Sequence, residues 1–119
     1  MAKIVLIDDS KLMRHLLQHM LEKAGYAVDI WEEVTSSEIP KQLGASNPDL
    51  IITDYMMPGT DGLTVVRMLR KTQPQLPIIV ITSTRDPSVV DALNRQEVNC
   101  ILHKPLQEEV VLAAVTSML

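Results

Sequence analysis

Three aspartates, a threonine and a lysine carry the chemistry open to this sequence. Asp8 and Asp9 follow an apolar run at residues 4–7, and Asp54 follows another at 50–53. Thr82 and Ser83 end a run at 78–81, and His103, Lys104 and Pro105 end one at 100–102. In an open parallel sheet, ligands bind outside the carboxyl ends of the strands, near the point where strand order reverses. With order 2-1-3-4-5 the first and third strands are central neighbours, so Asp8, Asp9 and Asp54 converge while Thr82 and Lys104 approach from the other side. Converging carboxylates repel one another and raise a pKa among them unless a cation is bound. Mg²⁺ suits one or two carboxylates with waters and a phosphoryl oxygen, at about 2.0 to 2.1 Å. Such a site is built for phosphoryl transfer, a carboxylate attacking in line while the metal and an ammonium hold the equatorial oxygens. Asp54 is then the nucleophile and Lys104 the ammonium, and Thr82 donates its hydroxyl to the attached group.

These positions require elements that alternate. Residues 4–7 form the first strand. Leu12, Met13, Leu16, Leu17, Met20, Leu21 and Ala24 repeat as a helix does, capped by Asp9 or Ser10 and stopped by Gly25. Residues 26–31 read as a second strand, and 32–47 hold a helix with Pro40 in its first turn or breaking it. The third strand is 50–53. Thr60 or Asp61 caps a helix carrying Leu63, Val66, Leu69 and Val65 or Met68, and Pro74 and Pro77 bound its exit. Strand four at 78–81, a helix from Pro87 through Leu93, strand five at 100–102 and a last helix over 107–118 complete five strand-helix units. The expected fold is α/β: a flavodoxin-like, doubly wound parallel sheet of order 2-1-3-4-5 with five helices.

Composition narrows the function. A chain of 119 residues suggests one domain over 1–119, and its single cysteine, Cys100, excludes an internal disulfide. Eleven Lys and Arg against fifteen Asp and Glu give a net charge of −4, the wrong sign for contact with nucleic acid. The longest apolar run, 110–115, is far below the roughly 18 residues of a membrane span. No export signal is read at the N-terminus, so the expected location is the cytoplasm.

The ordered set Asp8-Asp9, Asp54-Tyr55-Met56-Met57-Pro58-Gly59-Thr60-Asp61-Gly62, Thr82-Ser83 and Lys104-Pro105 resembles the receiver domain of bacterial two-component response regulators, the stand-alone chemotaxis regulators in particular. The resemblance covers the whole chain. It implies that Asp54 accepts a phosphoryl group from a histidine kinase or phosphotransfer protein. It further implies that Asp9, Asp54 and the Met56 carbonyl ligate Mg²⁺, with Asp8 helping through water, and that the peptide before Pro105 is cis. The fourth helix, fifth strand and last helix would contact an output domain, a target protein or a second receiver, and the first helix would meet the kinase. Met56 and Thr84 would tune water access to the acyl phosphate. Neither offers a carboxylate or amide, so self-dephosphorylation should not be unusually fast.

Each feature has a plainer reading. Asp8 and Asp9 could be helix-capping residues, Asp54 a strand-end residue before a Pro58-Gly59 turn, and Lys104 a solvated charge. His15 and His19, four apart, fit a solvated face better than a zinc site, Cys100 a small core residue, and the seven methionines core filling. His103 points away from Lys104 and is not read as catalytic. The sequence departs from receivers at Ile101, where an aromatic ring is usual, at Glu97, where Gly is usual, and at Trp31-Glu32-Glu33-Val34, which lacks a Gly. A pseudo-receiver that binds without phosphorylation is the alternative. A phosphatase is disfavoured because Met56 replaces the second Asp, and a flavin site because the acidic pocket repels a phosphate.

Overall fold

Short apolar runs rich in Ile, Val and Leu suit strands covered on both faces. The structure is a computed structural model that describes residues 1–32, 34–57 and 60–119, with the side chains of 57, 60 and 61 outside the described set. The strands are β1 (Lys3–Ile7), β2 (Ala27–Trp31), β3 (Leu50–Asp54), β4 (Ile78–Thr82) and β5 (Cys100–His103). All pair in parallel, in the order β2-β1-β3-β4-β5. The helices are α1 (Lys11–Lys23), α2 (Ile39–Ser46), α3 (Gly62–Thr72), α4 (Pro87–Arg95) and α5 (Glu108–Met118). This is the doubly wound, flavodoxin-like fold expected.

Strand alternation divides the core in two. Val5, Ile7, Ile51, Ile78 and Val80 face α2, α3 and α4, which bring Leu43, Val65, Val66, Leu69 and Leu93. Ile4, Leu6, Ile52, Ile79 and Ile81 face α1 and α5, which bring Leu17, Leu21, Val111 and Val115. The first helix buries less than its apolar stripe suggested: Leu12 is 70% exposed and Leu16 52%. The methionines also depart from core filling. Met13, Met20, Met68 and Met118 pack half-buried at the margins of the two clusters, and Met1 and Met56 are exposed. Cys100 is half-buried because β5 is an edge strand.

Local chemistry sets the boundaries. Ser10, not Asp9, caps α1, its hydroxyl accepting from the Met13 N–H at 3.3 Å, and Gly25 leaves the helix with φ of 99°. Pro40 sits in the first turn of α2, where its missing N–H is harmless. That helix is eight residues long, preceded by a 3₁₀ turn at Ser36–Glu38 and closed by left-handed Asn47. Asp86 caps α4 by accepting from the Ser88 N–H at 3.0 Å, and its carboxyl is held below the usual range by the Ser88 backbone and hydroxyl. Residues 60 and 61, read as a cap, instead form a two-residue antiparallel ladder with 56 and 57. The expected Pro58-Gly59 turn and Glu33 of the second link lie outside the described residues.

Glu97 keeps the left-handed turn that glycine usually supplies, at φ of 60°. Arg70 braces it. Its Nη2 donates to the Glu97 carbonyl at 2.9 Å, its Nη1 to Pro74 and Leu76 carbonyls at 2.8 Å each, and its Nε to Gln96 at 3.4 Å. The left-handed conformation costs an L-residue roughly 1–2 kcal/mol, part of which glycine returns by its greater freedom when unfolded. Glu97→Gly should therefore raise the urea midpoint, by about 0.5–1 kcal/mol of stability. A lower midpoint would mean that Arg70 and the turn need the glutamate side chain.

Candidate functional site

Each parallel strand delivers the residue at its carboxyl end to one edge of the sheet. Asp8 follows β1 and is only 2% exposed; Asp54 ends β3 at 4%. Thr82 ends β4, fully buried, and Lys104 follows β5. Oxygens of Asp8, Asp9 and Asp54 lie within 4.8 Å of one another, with Asp9 exposed to solvent.

Asp54 is held at both oxygens. Its Oδ2 accepts from Lys104 Nζ at 3.0 Å and its Oδ1 from the Met56 N–H at 3.1 Å. Three backbone hydrogen bonds set this geometry. The Tyr55 N–H reaches the Ile81 carbonyl at 2.9 Å, the Gly62 N–H the Tyr55 carbonyl at 2.7 Å, and the Lys104 N–H the Thr82 carbonyl at 2.9 Å. The Lys104–Pro105 peptide is cis, as expected. The Thr82 hydroxyl is not bonded to Asp54; it accepts from the Thr84 N–H at 3.1 Å. Ile101 packs against the α2–α4 cluster, and His15 and His19 are exposed on α1.

Asp8 is the electrostatic anomaly. Its Oδ1 accepts from the Ser10 N–H at 2.8 Å, and its carbonyl accepts from Arg14 Nη1 at 3.1 Å. Its Oδ2 is buried with no hydrogen-bond partner among the described residues. Burial pushes the carboxyl up; the Ser10 N–H opposes this, and the neighbouring Asp54 charge adds to it. An orphaned, buried carboxylate oxygen facing two other carboxylates is a donor set that fits a hard divalent cation. Ser10 and Arg14 were not foreseen as supports of Asp8. Nor does the sequence mark Gly62, within the motif, as the residue whose N–H holds the Tyr55 carbonyl beside Asp54.

The sequence profile described as "Response regulator receiver domain" matches residues 4–116. The chain belongs to this family. Response regulator MprA of Mycolicibacterium vanbaalenii is 32% identical to this receiver domain over 118 residues, 99% of this chain and 50% of the relative. MprA of Mycobacterium ulcerans matches with the same identity and coverage. The chain thus spans about half the length of the curated relatives it matches. Among solved structures, the chemotaxis protein CheY4 of Vibrio cholerae superposes with a TM-score of 0.88 at 27% identity, covering 100% of this chain and 99% of that one. The signal receiver domain of a histidine kinase from Syntrophus aciditrophicus gives 0.85 at 28% identity, covering 99% and 89%. Among the described residues, no helix of the receiver domain is long and apolar enough to cross a membrane.

Proposed function

We propose that residues 1–119 form one receiver domain acting as a phosphorylation switch in a cytoplasmic phosphorelay, with Asp54 as acceptor. The observation that carries this is the Asp54 carboxylate fixed between Lys104 Nζ and the Met56 N–H beside Asp8 and Asp9. A carboxylate oxygen of Asp54 forms a bond to phosphorus as the bond to the donor histidine nitrogen of a kinase or phosphotransfer protein breaks. Lys104 supplies positive charge to the phosphoryl oxygens, and Asp54 needs no proton transfer to attack. Asp9, Asp54 and the Met56 carbonyl would hold Mg²⁺, with Asp8 acting through water; the ion supplies charge neutralisation to the transferred group. Thr82 turns its hydroxyl to the acyl phosphate. The domain is in this reading a signalling switch and not an enzyme, though it catalyses its own Mg²⁺-dependent phosphoryl transfer and slow dephosphorylation.

The exposed Leu16 borders a groove of about 370 Å³ between α1 and the segment 105–108, and Leu12, one turn earlier on the same helix, is also exposed, which supports kinase docking there. The α4, β5 and α5 face would carry the phosphorylated state to an output domain, a target or a second receiver. Intact mass after incubation with acetyl phosphate tests the reading. The parent should gain one phosphoryl group only with Mg²⁺, and Asp54→Ala should gain none. A parent that stays unmodified and fails to bind beryllofluoride would instead be a binding module that works without phosphorylation.

A further inference from the structure

Away from the acidic edge, the fold leaves polar groups unmet where α2 crosses the edge strand β2. On the face of the sheet that carries α2, Lys3 stands level with Ala27, Asp29 with Val5 and Trp31 with Ile7. Opposite them α2 presents Gln42 and the small side chains of Ala45 and Ser46. Small residues on a short helix do not fill the space over the edge strand, and a crevice of about 220 Å³ remains open to solvent there. It shares no lining residue with the acidic site.

The polar groups of the crevice are only partly used. The Ser46 hydroxyl donates to Asp29 Oδ2 at 2.8 Å, and Lys3 Nζ donates to the Ser46 carbonyl at 2.9 Å. An ammonium has three donors, so Lys3 retains N–H groups for a ligand. Asp29 is half-buried and forms no ion pair with any described residue. Gln42 Oε1 is buried and accepts from no described residue. A buried carbonyl oxygen left without a donor is unfavourable, so a ligand that brings an N–H to it is favoured.

We propose that the crevice between β2 and α2 binds a free α-amino acid with an apolar side chain. Lys3 takes the ligand's carboxylate, Asp29 and Gln42 Oε1 take its ammonium, and its side chain lies against Trp31. The levels of Lys3 and Asp29 are two residues, about 6.6 Å, apart along the strand, so the two charges address opposite ends of a small zwitterion and not a single ion. Trp31, four residues beyond the level of Lys3, supplies the apolar end. A volume of about 220 Å³ falls below the roughly 300–1,000 Å³ of clefts for drug-sized ligands, which excludes a nucleotide.

Trp31 is the sole tryptophan, so its emission reads the crevice directly. The probes are leucine, its decarboxylated analogue 3-methylbutylamine and its deaminated analogue 4-methylpentanoate. In the parent, leucine should change the emission saturably and raise the melting temperature by mass action, with both analogues binding at least about tenfold more weakly. Asp29→Asn keeps an acceptor for the Ser46 hydroxyl and removes the charge; it should weaken leucine by about tenfold and leave 4-methylpentanoate unchanged. Lys3→Gln should erase the preference for leucine over 3-methylbutylamine, because a carboxylate with no ammonium to meet adds nothing. Cooperative melting shows that each variant is folded. The proposal is overturned if leucine and the other apolar amino acids change neither emission nor melting of the parent. Equal binding of 3-methylbutylamine overturns it too, by making the crevice a site for cations, as does a preference that survives Lys3→Gln.

Discussion

Gly62→Ala should cost the receiver domain about 3 kcal/mol or more and slow phosphoryl uptake by roughly 10²-fold. An added Cβ would stand 2.5 Å from the Tyr55 Cα, 2.9 Å from its carbonyl oxygen and 3.0 Å from the Asp54 carbonyl oxygen. All three are backbone atoms, so no side chain can swing aside. Helix α3 cannot retreat, because Val65, Val66 and Leu69 are fully buried against the sheet. The loop after β3 must give way, and with it the Met56 N–H that holds Asp54. Urea unfolding and the rate of mass gain from acetyl phosphate measure both consequences. Gly44 is the internal control: a Cβ there meets nothing within 4 Å, and its position in α2 makes Ala the better helix former. Gly44→Ala should stabilise by about 0.5–1 kcal/mol and leave uptake unchanged. A Gly62→Ala variant with the parent's midpoint would show that the close approach is not required.

The contrast between these glycines also marks where sequence reading stops. Both stand beside helix-period residues, and only the backbone path tells one from the other. The central strands β1, β3 and β4 were legible because each is a short apolar run covered on both faces, the half-buried edge strands β2 and β5 less plainly so, and the acidic site followed because parallel strands all end at one edge. Side chains that project from those ends, Asp8, Asp54, Thr82 and Lys104, are therefore placed by counting. Backbone contacts are not. The Met56 N–H on Asp54, the ladder of 56–57 with 60–61 and the Tyr55–Gly62 bond depend on how a loop doubles back, which no periodicity encodes. Arg70 reads as an ordinary basic residue in the last turn of a helix, yet it ties the loop after α3 to the loop after α4. On α1, the apolar stripe predicted more burial than the sheet accepts, since Leu17 and Leu21 alone are fully enclosed. Leu12 and Leu16 are left for another surface.

Asp8→Asn should have opposite effects on stability and on function, which distinguishes an ion-binding carboxylate from a capping one. Without divalent cation, Asp8 carries an oxygen that is buried and unpartnered, and burial raises its pKa above the ordinary carboxylate value. A carboxyl whose folded pKa is raised favours folding while protonated, below its unfolded pKa, and loses that contribution as pH rises through the folded value. Above that folded value, in a chelator, it is thus a charged group held out of water. Asparagine keeps an oxygen for the Ser10 N–H and removes the charge. The metal-free variant should be more stable than the parent at pH 7 by about 1–2 kcal/mol, the size of an unmet buried polar group. The gap should close as pH falls through the raised pKa and the parent's Asp8 becomes neutral. Adding Mg²⁺ should reverse the order, raising the parent's melting temperature while the variant binds the ion about 10- to 100-fold more weakly, as loss of a carboxylate acting through water does. Phosphoryl uptake at limiting Mg²⁺ should fall by a similar factor. Were Asp8 only a capping residue, asparagine, which caps as well as aspartate, would leave Mg²⁺ affinity unchanged. Thermal unfolding with chelator and with Mg²⁺ decides between the two. A site that trades stability for a ligand is recognised by this sign change, because removing the charge helps the empty fold and harms the occupied one.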